Sequence, residues 1–531
     1  MEHSPHFSFL MSAPLAVLSA WLALEALRFG ARKAGARLAW LSVLSRLLCW
    51  AARPWAAWGL FNLVFRWRRE QAFNHPETFP FYANPWFPGW WLDSLYSALS
   101  LEGALAGLLL ACCVAAAAIA IVVLPRREPS AARGWLTALA ISALAFAFAL
   151  SVNRLPRIYS EDPKTPPSLL AAWHDPASTL LYAMPLVSNP ARFLQNYAAM
   201  QPRLRRTIHG LSHPPGAPLS LYALGRIAGA GGDIRAERNK LRYAVALTAA
   251  GALNALLLYA LGAAMTSSRK IGLCAALLWA LCPAFTAYAT FAQDVFYALF
   301  FNLALLLLWR SAAAAAPPWP TLVALGLVFF CLTMLTYSWV LATTLAAAFL
   351  GIAGLQKRRP WRDTLARIAL PLAVMTLAAA ALLVYARLDY LAAYRVASGY
   401  VREWYRLEGV YQWCMALVGG QLDILLMMGS LAAAAFLAAA TGREPLRADG
   451  LSARLFLGVL LAVYALPLLF GPHALKMETA RCWHWVTTVP LVLAAWKLGR
   501  EERFPRLAMG AAAGVSAGTS LVLGLLLNFG A

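Results

Sequence analysis

Four short stretches of this 531-residue chain carry acids, histidines or cations in arrangements that could do chemistry. The first runs from residue 153, "NRLPRIYSEDPKTPPSLLAAWHDPASTLLY", and carries Glu161, Asp162, Asp175 and Tyr182. The second, "HGLSHPPGAPLSLYALGRI" (209–227), sets His209 and His213 before two prolines and a glycine. The third, "LCPAFTAYATFAQDVFYALFF", holds Asp294 between two apolar runs. The fourth, "FGPHALKMETARCWHWVTTVP", crowds His473, Lys476, Glu478, Arg481 and His484. A carboxylate can take the proton of a hydroxyl as general base. Lys476 and Arg481 can grip a phosphate, the arginine as a two-pronged fork. Glu478 and Arg481 are three apart and share a face if helical.

Each stretch also has a plainer reading. Asp175 before Pro176 is a good N-cap and first-turn pair. Asp294 suits the N-terminus of the following helix, although an ionisable group at a membrane helix end counts as functional by default. The cations of 473–484 can simply snorkel to an interface. Pro214 and Pro215 fix φ and favour a helix start, which holds His213 at the head of a short helix ending near Arg226.

The elements that must position these groups are transmembrane helices. The chain is 61% hydrophobic and only 13% charged, about half the charge of a soluble domain. Apolar runs near the ~20 residues that span a bilayer recur along its length. The net charge of +22 sits in short loops beside those runs, the pattern of cytoplasmic anchors, so nucleic acid is not an expected partner. Cys112, Cys113, Cys274, Cys282 and Cys331 lie in apolar segments without metal spacing and read as structural thiols. No metal is expected.

Taking "PRREPSAAR" (125–133), "SSRK" (267–270), "QKRRPWR" (356–362), "TGREPLR" (441–447) and "KLGREERFPR" (497–506) as inside loops orders eleven crossings. They are 135–152, 242–265, 271–288, 295–310, 318–335, 338–355, 365–387, 413–440, 453–470, 483–498 and 507–528. The long loop 153–241 then lies outside and is expected to form juxtamembrane helices. Upstream, 8–29, 38–65 and 97–124 are up to three more spans, the first read as a retained helix. Arg46, Arg53 and Pro54 make an interfacial helix a competing reading of 38–65. The expected organisation is an all-α polytopic protein: an N-terminal transmembrane extension, 1–134, and a transmembrane module, 135–531, of about eleven core helices. No internal repeat is evident.

In that scheme all four stretches lie at one membrane face, above an apolar body able to hold a lipid tail. This is the layout for moving a sugar from a lipid phosphate, with an acid as base and cations stabilising the leaving phosphate. The order of acids after an outward helix, "FLQNY", "HPPG", and "P-x-F…QD-V-F" resembles the GT-C superfamily of membrane glycosyltransferases, of the protein mannosyltransferase and aminoarabinose transferase type. "METARCWHW" is similar to that superfamily's late "E-x-x-R-x-W" segment. The resemblance covers roughly 135–500. It implies a GT-C-like bundle, a polyprenyl-phosphate sugar donor, inversion at the anomeric carbon, and a glycan, lipid or protein acceptor. Some members use a divalent metal. It puts the first-loop acid on Asp175 or Asp162, although the spacing of Asp175 to Tyr182 is longer than the family's, and the second-loop acid on Asp294. His213, with His209 and Tyr182, would line the site, and Lys476, Glu478 and Arg481 would meet the donor phosphate. A lipid-linked sugar flippase or other transporter, a polysaccharide polymerase or ligase, and a non-catalytic scaffold stay open beside it. The Ala- and Arg-rich composition suggests a GC-rich bacterium, hence an inner membrane with the site on its periplasmic face.

Overall fold

In a computed structural model of the chain, the residues described are 43, 46–57, 115, 119, 124–125, 127–153, 187, 189–206, 212–230, 236–290, 292–404, 418, 420–442, 447–470, 484–500 and 505–526. They are almost entirely helical. Helix α1 is Ala131–Val152, opened by Ser130, whose side chain accepts from the Arg133 N–H. The first long loop contributes α2 (Pro190–Met200), a 3-10 turn (Gln201–Arg206) and α3 (Gly216–Ile227). Then follow α4 (Glu237–Ala252), α5 (Asn254–Thr266), α6 (Arg269–Ala280), α7 (Pro283–Tyr288) and α8 (Asp294–Ala313). Helices α9 (Trp319–Leu335), α10 (Trp339–Gln356), α11 (Trp361–Ala386) and α12 (Tyr390–Trp404) lead to α13 (Gly420–Met427) and α14 (Ser430–Thr441). A two-residue-strand hairpin, Arg447–Ala448 with Leu451–Ser452, precedes α15 (Ala453–Phe470), α16 (Thr488–Gly499) and α17 (Pro505–Leu526).

Among the described residues, five helical stretches are long and apolar enough to cross a membrane: Ala131–Val152, Glu237–Thr266, Asp294–Ala313, Trp339–Gln356 and Trp361–Ala386. Shorter apolar helices cover Trp319–Leu335, Ser430–Thr441 and Ala453–Leu466. The chain is thus a helical protein with several segments able to span a bilayer. The proposed spans 8–29 and 97–124 lie, apart from residues 115, 119 and 124, outside the described residues. Of 38–65, residues 46–57 are helical through Pro54.

The basic loops meet at one end. The Glu128 carboxylate accepts from the Ser268 hydroxyl and the Lys270 N–H, and Arg269 donates to the Pro129 carbonyl at 3.2 Å. Arg506 reaches the Leu124 carbonyl at 2.6 Å. Lys357, Arg359 and Arg367 donate to carbonyls of Ser311 through Ala315, at the C-terminal end of α8. Cations at a helix C-terminus satisfy its orphan carbonyls and its dipole together. Asp363 pairs with Arg359 and Arg367, and the hairpin packs on α5.

Helices α5, α6, α14 and α16 are 13, 12, 12 and 12 residues long, and each rises from that basic end by roughly 18 Å. Next to the far ends of α5, α6 and α14 an expected single span changes course, at α4–α5 by a one-residue turn within the continuous stretch Glu237–Thr266, while α16 runs on from the 3-10 turn His484–Thr487. Between α4 and α5, the Asn254 side chain takes the Gly251 and Val295 carbonyls at 2.9 and 3.1 Å, a local bond that competes with the helix. Between α6 and α7, Pro283 lacks the N–H needed to continue. Between α13 and α14, Gly429 takes φ +88° and sits against Ser516. Backbone groups freed inside a membrane must find partners. Here the Ser142 hydroxyl donates to Ala252 O, Cys282 Sγ to Met427 O and the Ser520 hydroxyl to Leu281 O. Asn302 Nδ2 donates to Asn254 Oδ1 at 2.7 Å, and the Thr488 hydroxyl to Asn302 Oδ1 at 2.5 Å.

Candidate functional site

The candidate site lies at the opposite end of the same helices. There α1 ends at Asn153, whose side chain donates to Thr286 O at 2.7 Å and accepts from the Thr290 hydroxyl at 3.2 Å. At this end two neighbouring stretches of the first long loop meet a third from about 80 residues further on. Helix α2 begins after Asn189, which caps the Arg192 N–H, with Pro190 in the first turn. It carries "FLQNY" and buries Phe193, Leu194 and Tyr197. The Tyr197 hydroxyl donates to the His213 carbonyl at 2.7 Å.

His213 stands before a helix start of the expected kind. Pro214 and Pro215 are buried, α3 begins at Gly216, and the Ala217 N–H bonds Pro214 O at 3.1 Å. Gly216 has a steric reason: a Cβ there would strike the backbone carbonyl of Met334 at the end of α9. At its other end α3 closes with Gly229 at φ +70° and the Ala230 N–H on Gly225 O, a Schellman stop. The ring of Tyr243 fills the space a side chain at Gly225 would need, which locks α3 to α4.

The half-buried His213 ring packs on Tyr297, centroids 5.6 Å apart. Tyr297 in turn donates to Gln293 Oε1 at 2.6 Å. Asp294 is the first residue of α8, half-buried and three residues from Tyr297, so the two share a helix face. The N-cap position falls to Gln293, whose side chain makes no capping bond. Asp294 is therefore a first-turn acid favoured by the helix dipole and not a capping residue. That placement satisfies the plainer reading of Asp294 in part.

Aromatic groups from the α9–α10 turn and from α12 complete this end. Tyr337 packs edge-on against Tyr390 and Tyr394 at 5.7 and 5.2 Å, and the Tyr390 hydroxyl donates to Thr333 O at 2.7 Å. Burial, reinforced by the neighbouring Tyr337 and Tyr390, pushes the Tyr197 hydroxyl well above its ordinary pKa. It stays a proton donor to His213 across the physiological range. His484 opens the 3-10 turn into α16, buried with its ring 5.5 Å from Trp279, and Trp485 stacks on Phe301 at 4.4 Å.

Of the sequence candidates, His213, Asp294 and His484 are described, and the segments of the first two come together. Asp162, Asp175, Tyr182, His209, Lys476, Glu478 and Arg481 lie outside the described residues. Sequence reasoning quoted the segments holding Tyr197, Gln293 and Tyr297 but gave those residues no role. The signal available for Tyr197 was its position closing "FLQNY" on the buried face of an amphipathic turn. Among the described residues no three His, Cys, Asp or Glu side chains gather as a metal site, and Cys49, Cys274, Cys282 and Cys331 form no disulfide with one another.

Compared with known proteins, the chain matches no protein-family model and no curated protein. Any functional reading therefore rests on the residues and their geometry.

Proposed function

We propose that the protein is a membrane glycosyltransferase that moves a sugar from a polyprenyl-phosphate donor to an acceptor hydroxyl at the end opposite the basic loops. In this reading an acid, Asp294 or a carboxylate of the 153–189 segment, takes the acceptor proton as the acceptor oxygen bonds the anomeric carbon. The bond from that carbon to the phosphate oxygen breaks on the opposite side, and configuration inverts. Cations of the 473–484 stretch, Lys476 and Arg481 foremost, balance the charge left on polyprenyl phosphate. His213 lines the site.

The observation that carries this reading is the convergence of "FLQNY", "HPPG" and "QDVFY" through Tyr197, His213 and Tyr297. A scaffold has no need to bring a histidine and a first-turn acid to one corner through two tyrosines. The test is sugar release from a panel of labelled polyprenyl-phosphate sugars by purified protein beside Asp294→Asn. Donor-dependent turnover that the variant loses, about a hundredfold or more for a general base, is expected. Full turnover in the variant removes Asp294 from the chemistry.

One observation favours transport as a second reading: the interruptions at Leu253, Leu281–Cys282 and Met428–Gly429 share one level, as the broken helices of transporters do. Among the described side chains, those bonding at this level are Asn, Ser, Thr and Cys, without an acid. Movement of labelled lipid across proteoliposomes without donor consumption would select transport.

A further inference from the structure

At the basic end, the turn between α10 and α11 has features that the proposed reaction does not use. Helix α10 ends in a complete Schellman motif: the Arg358 N–H bonds Leu355 O at 3.1 Å and the Arg359 N–H bonds Gly354 O at 2.9 Å. The position that must turn left-handed is Arg358, at φ +49°. Glycine is the residue that fits there without a Cβ penalty, and α3 uses it at the matching Gly229. An arginine held in this conformation is a reason to look for a role.

The charges around it are unevenly balanced. Lys357, Arg359 and Arg367 turn inward to the carbonyls ending α8, and Asp363 is engaged by Arg359 and Arg367. Arg359 Nη1 is buried without an acceptor among the described residues. Arg358 and Arg362 are exposed, and neither forms an ion pair among the described residues. Arg362 lies 5.7 Å from the ring of Trp361, which is itself 69% exposed.

Beneath them runs α11, whose burial is a single stripe: Arg367, Pro371, Met375 and Ala386 are its buried residues. Pro371 is where α9 comes closest, a Cβ at Gly326 standing 2.6 Å from its carbonyl. The rest of α11 faces outward with Leu365, Leu377, Leu383 and Val384 exposed. In a bilayer that apolar face is covered by acyl chains, and the tryptophan at its head sits at the headgroup level.

We infer that Arg358 and Arg362, flanked by Trp361 at the head of α11, form a binding site for the phosphate headgroup of an anionic phospholipid. Guanidinium forks match phosphate oxygens in pairs, and the lipid's tails lie along the exposed face of α11. Membrane attachment of basic residues is worth a factor of about five in affinity per cation, so loss of both weakens binding on the order of thirty-fold.

The test compares the intact protein with Arg358→Gly/Arg362→Gln by lipid retention in native mass spectrometry and by thermal unfolding. Each is run with phosphatidylglycerol, phosphatidylcholine or inorganic phosphate added. The expected result is preferential retention of, and stabilisation by, phosphatidylglycerol in the wild type, lost in the double variant and weakened by salt. Arg358→Gly relieves a left-handed arginine, so in phosphatidylcholine the variant is expected to unfold no earlier than wild type. A purely structural role for Arg358 requires the reverse. Arg500→Gln, which removes another exposed basic-end arginine beside a tryptophan, is the control for diffuse charge. The inference is overturned if phosphatidylglycerol binding survives the double variant. Equal weakening by Arg500→Gln, or equal stabilisation by inorganic phosphate, overturns it too.

Discussion

Among single residues, the hydroxyl of Tyr197 is the one whose removal separates positioning from packing. Tyr197→Phe keeps the buried ring and its edge contact with Phe193 while deleting the bond to the His213 carbonyl. A net loss of about 1 kcal/mol in stability is expected from an unmade bond of this kind. If His213 lines the site, sugar transfer falls further than the stability change explains, and kcat measured well below the unfolding temperature reads the difference. The pH dependence has a definite sign. The folded-state pKa of Tyr197 is raised above the ordinary value of about 10, so its contribution to stability is complete below that pH. It is lost as pH climbs from there toward the folded value. Tyr197→Phe should flatten that alkaline slope in an unfolding series, and an unchanged slope would assign it to other tyrosines. Sequence reading reached His213 and Asp294 because proline pairs and membrane-edge acids stand out in an apolar chain. It gave no role to Tyr197 and Tyr297 because a tyrosine near a membrane face is ordinary in composition. Only the fold shows where its hydroxyl goes.

Elements were legible wherever a hydrophobic run coincided with one helix, as in α1, α8, α10 and α11. The interruptions were not, and each for its own reason. Pro283 was visible but sits in a run, "LLWALCPAFTAY", whose apolar character never lapses. The break at Leu253 has no proline or local polarity beyond Asn254, and it exists because that amide finds Val295 O and Asn302 on α8. The amphipathic α12 fell inside an expected outer segment, its face set by docking against α2 and the Gln201–Arg206 turn. Two glycines bounding α3 give a matched pair of tests. Gly216→Ala places a methyl group into the Met334 carbonyl and must displace the histidine-bearing helix from α9. Gly229→Ala meets open space and pays only for its left-handed backbone, about 1 kcal/mol. Both should lower the unfolding temperature, but only Gly216→Ala should also disturb the His213–Tyr297 contact. Tyr297 environment or donor turnover would register that. Equal effects of the two on turnover would mean that the seat of α3 on α9 does not position the site.

At the scale of the whole molecule, the charge asymmetry that orders the loops in sequence has a physical counterpart in the fold. Loops assigned to one side by their arginines and lysines bond to one another: Glu128 to Ser268 and Lys270, Arg506 to Leu124, and the Lys357–Arg367 cluster to the end of α8. The candidate site gathers at the other ends of the same helices, through Asn153, His213, Tyr297 and Tyr390. This separation predicts opposite accessibility for two exposed positions, Gln356 at the end of α10 and Arg395 on α12. The positive-inside bias predicts a cytoplasmic basic end. A membrane-impermeant maleimide should therefore label Arg395→Cys in intact cells or right-side-out vesicles, and Gln356→Cys only after permeabilisation. Wild-type protein is the background control: Cys49, Cys274 and Cys282 are buried, whereas Cys331 is half-buried and sets the signal to subtract. Labelling of both from one side would break the antiparallel scheme. The reversed pattern would keep the bundle but turn it over, and a donor that enters from the outer leaflet would then face the wrong end of the molecule.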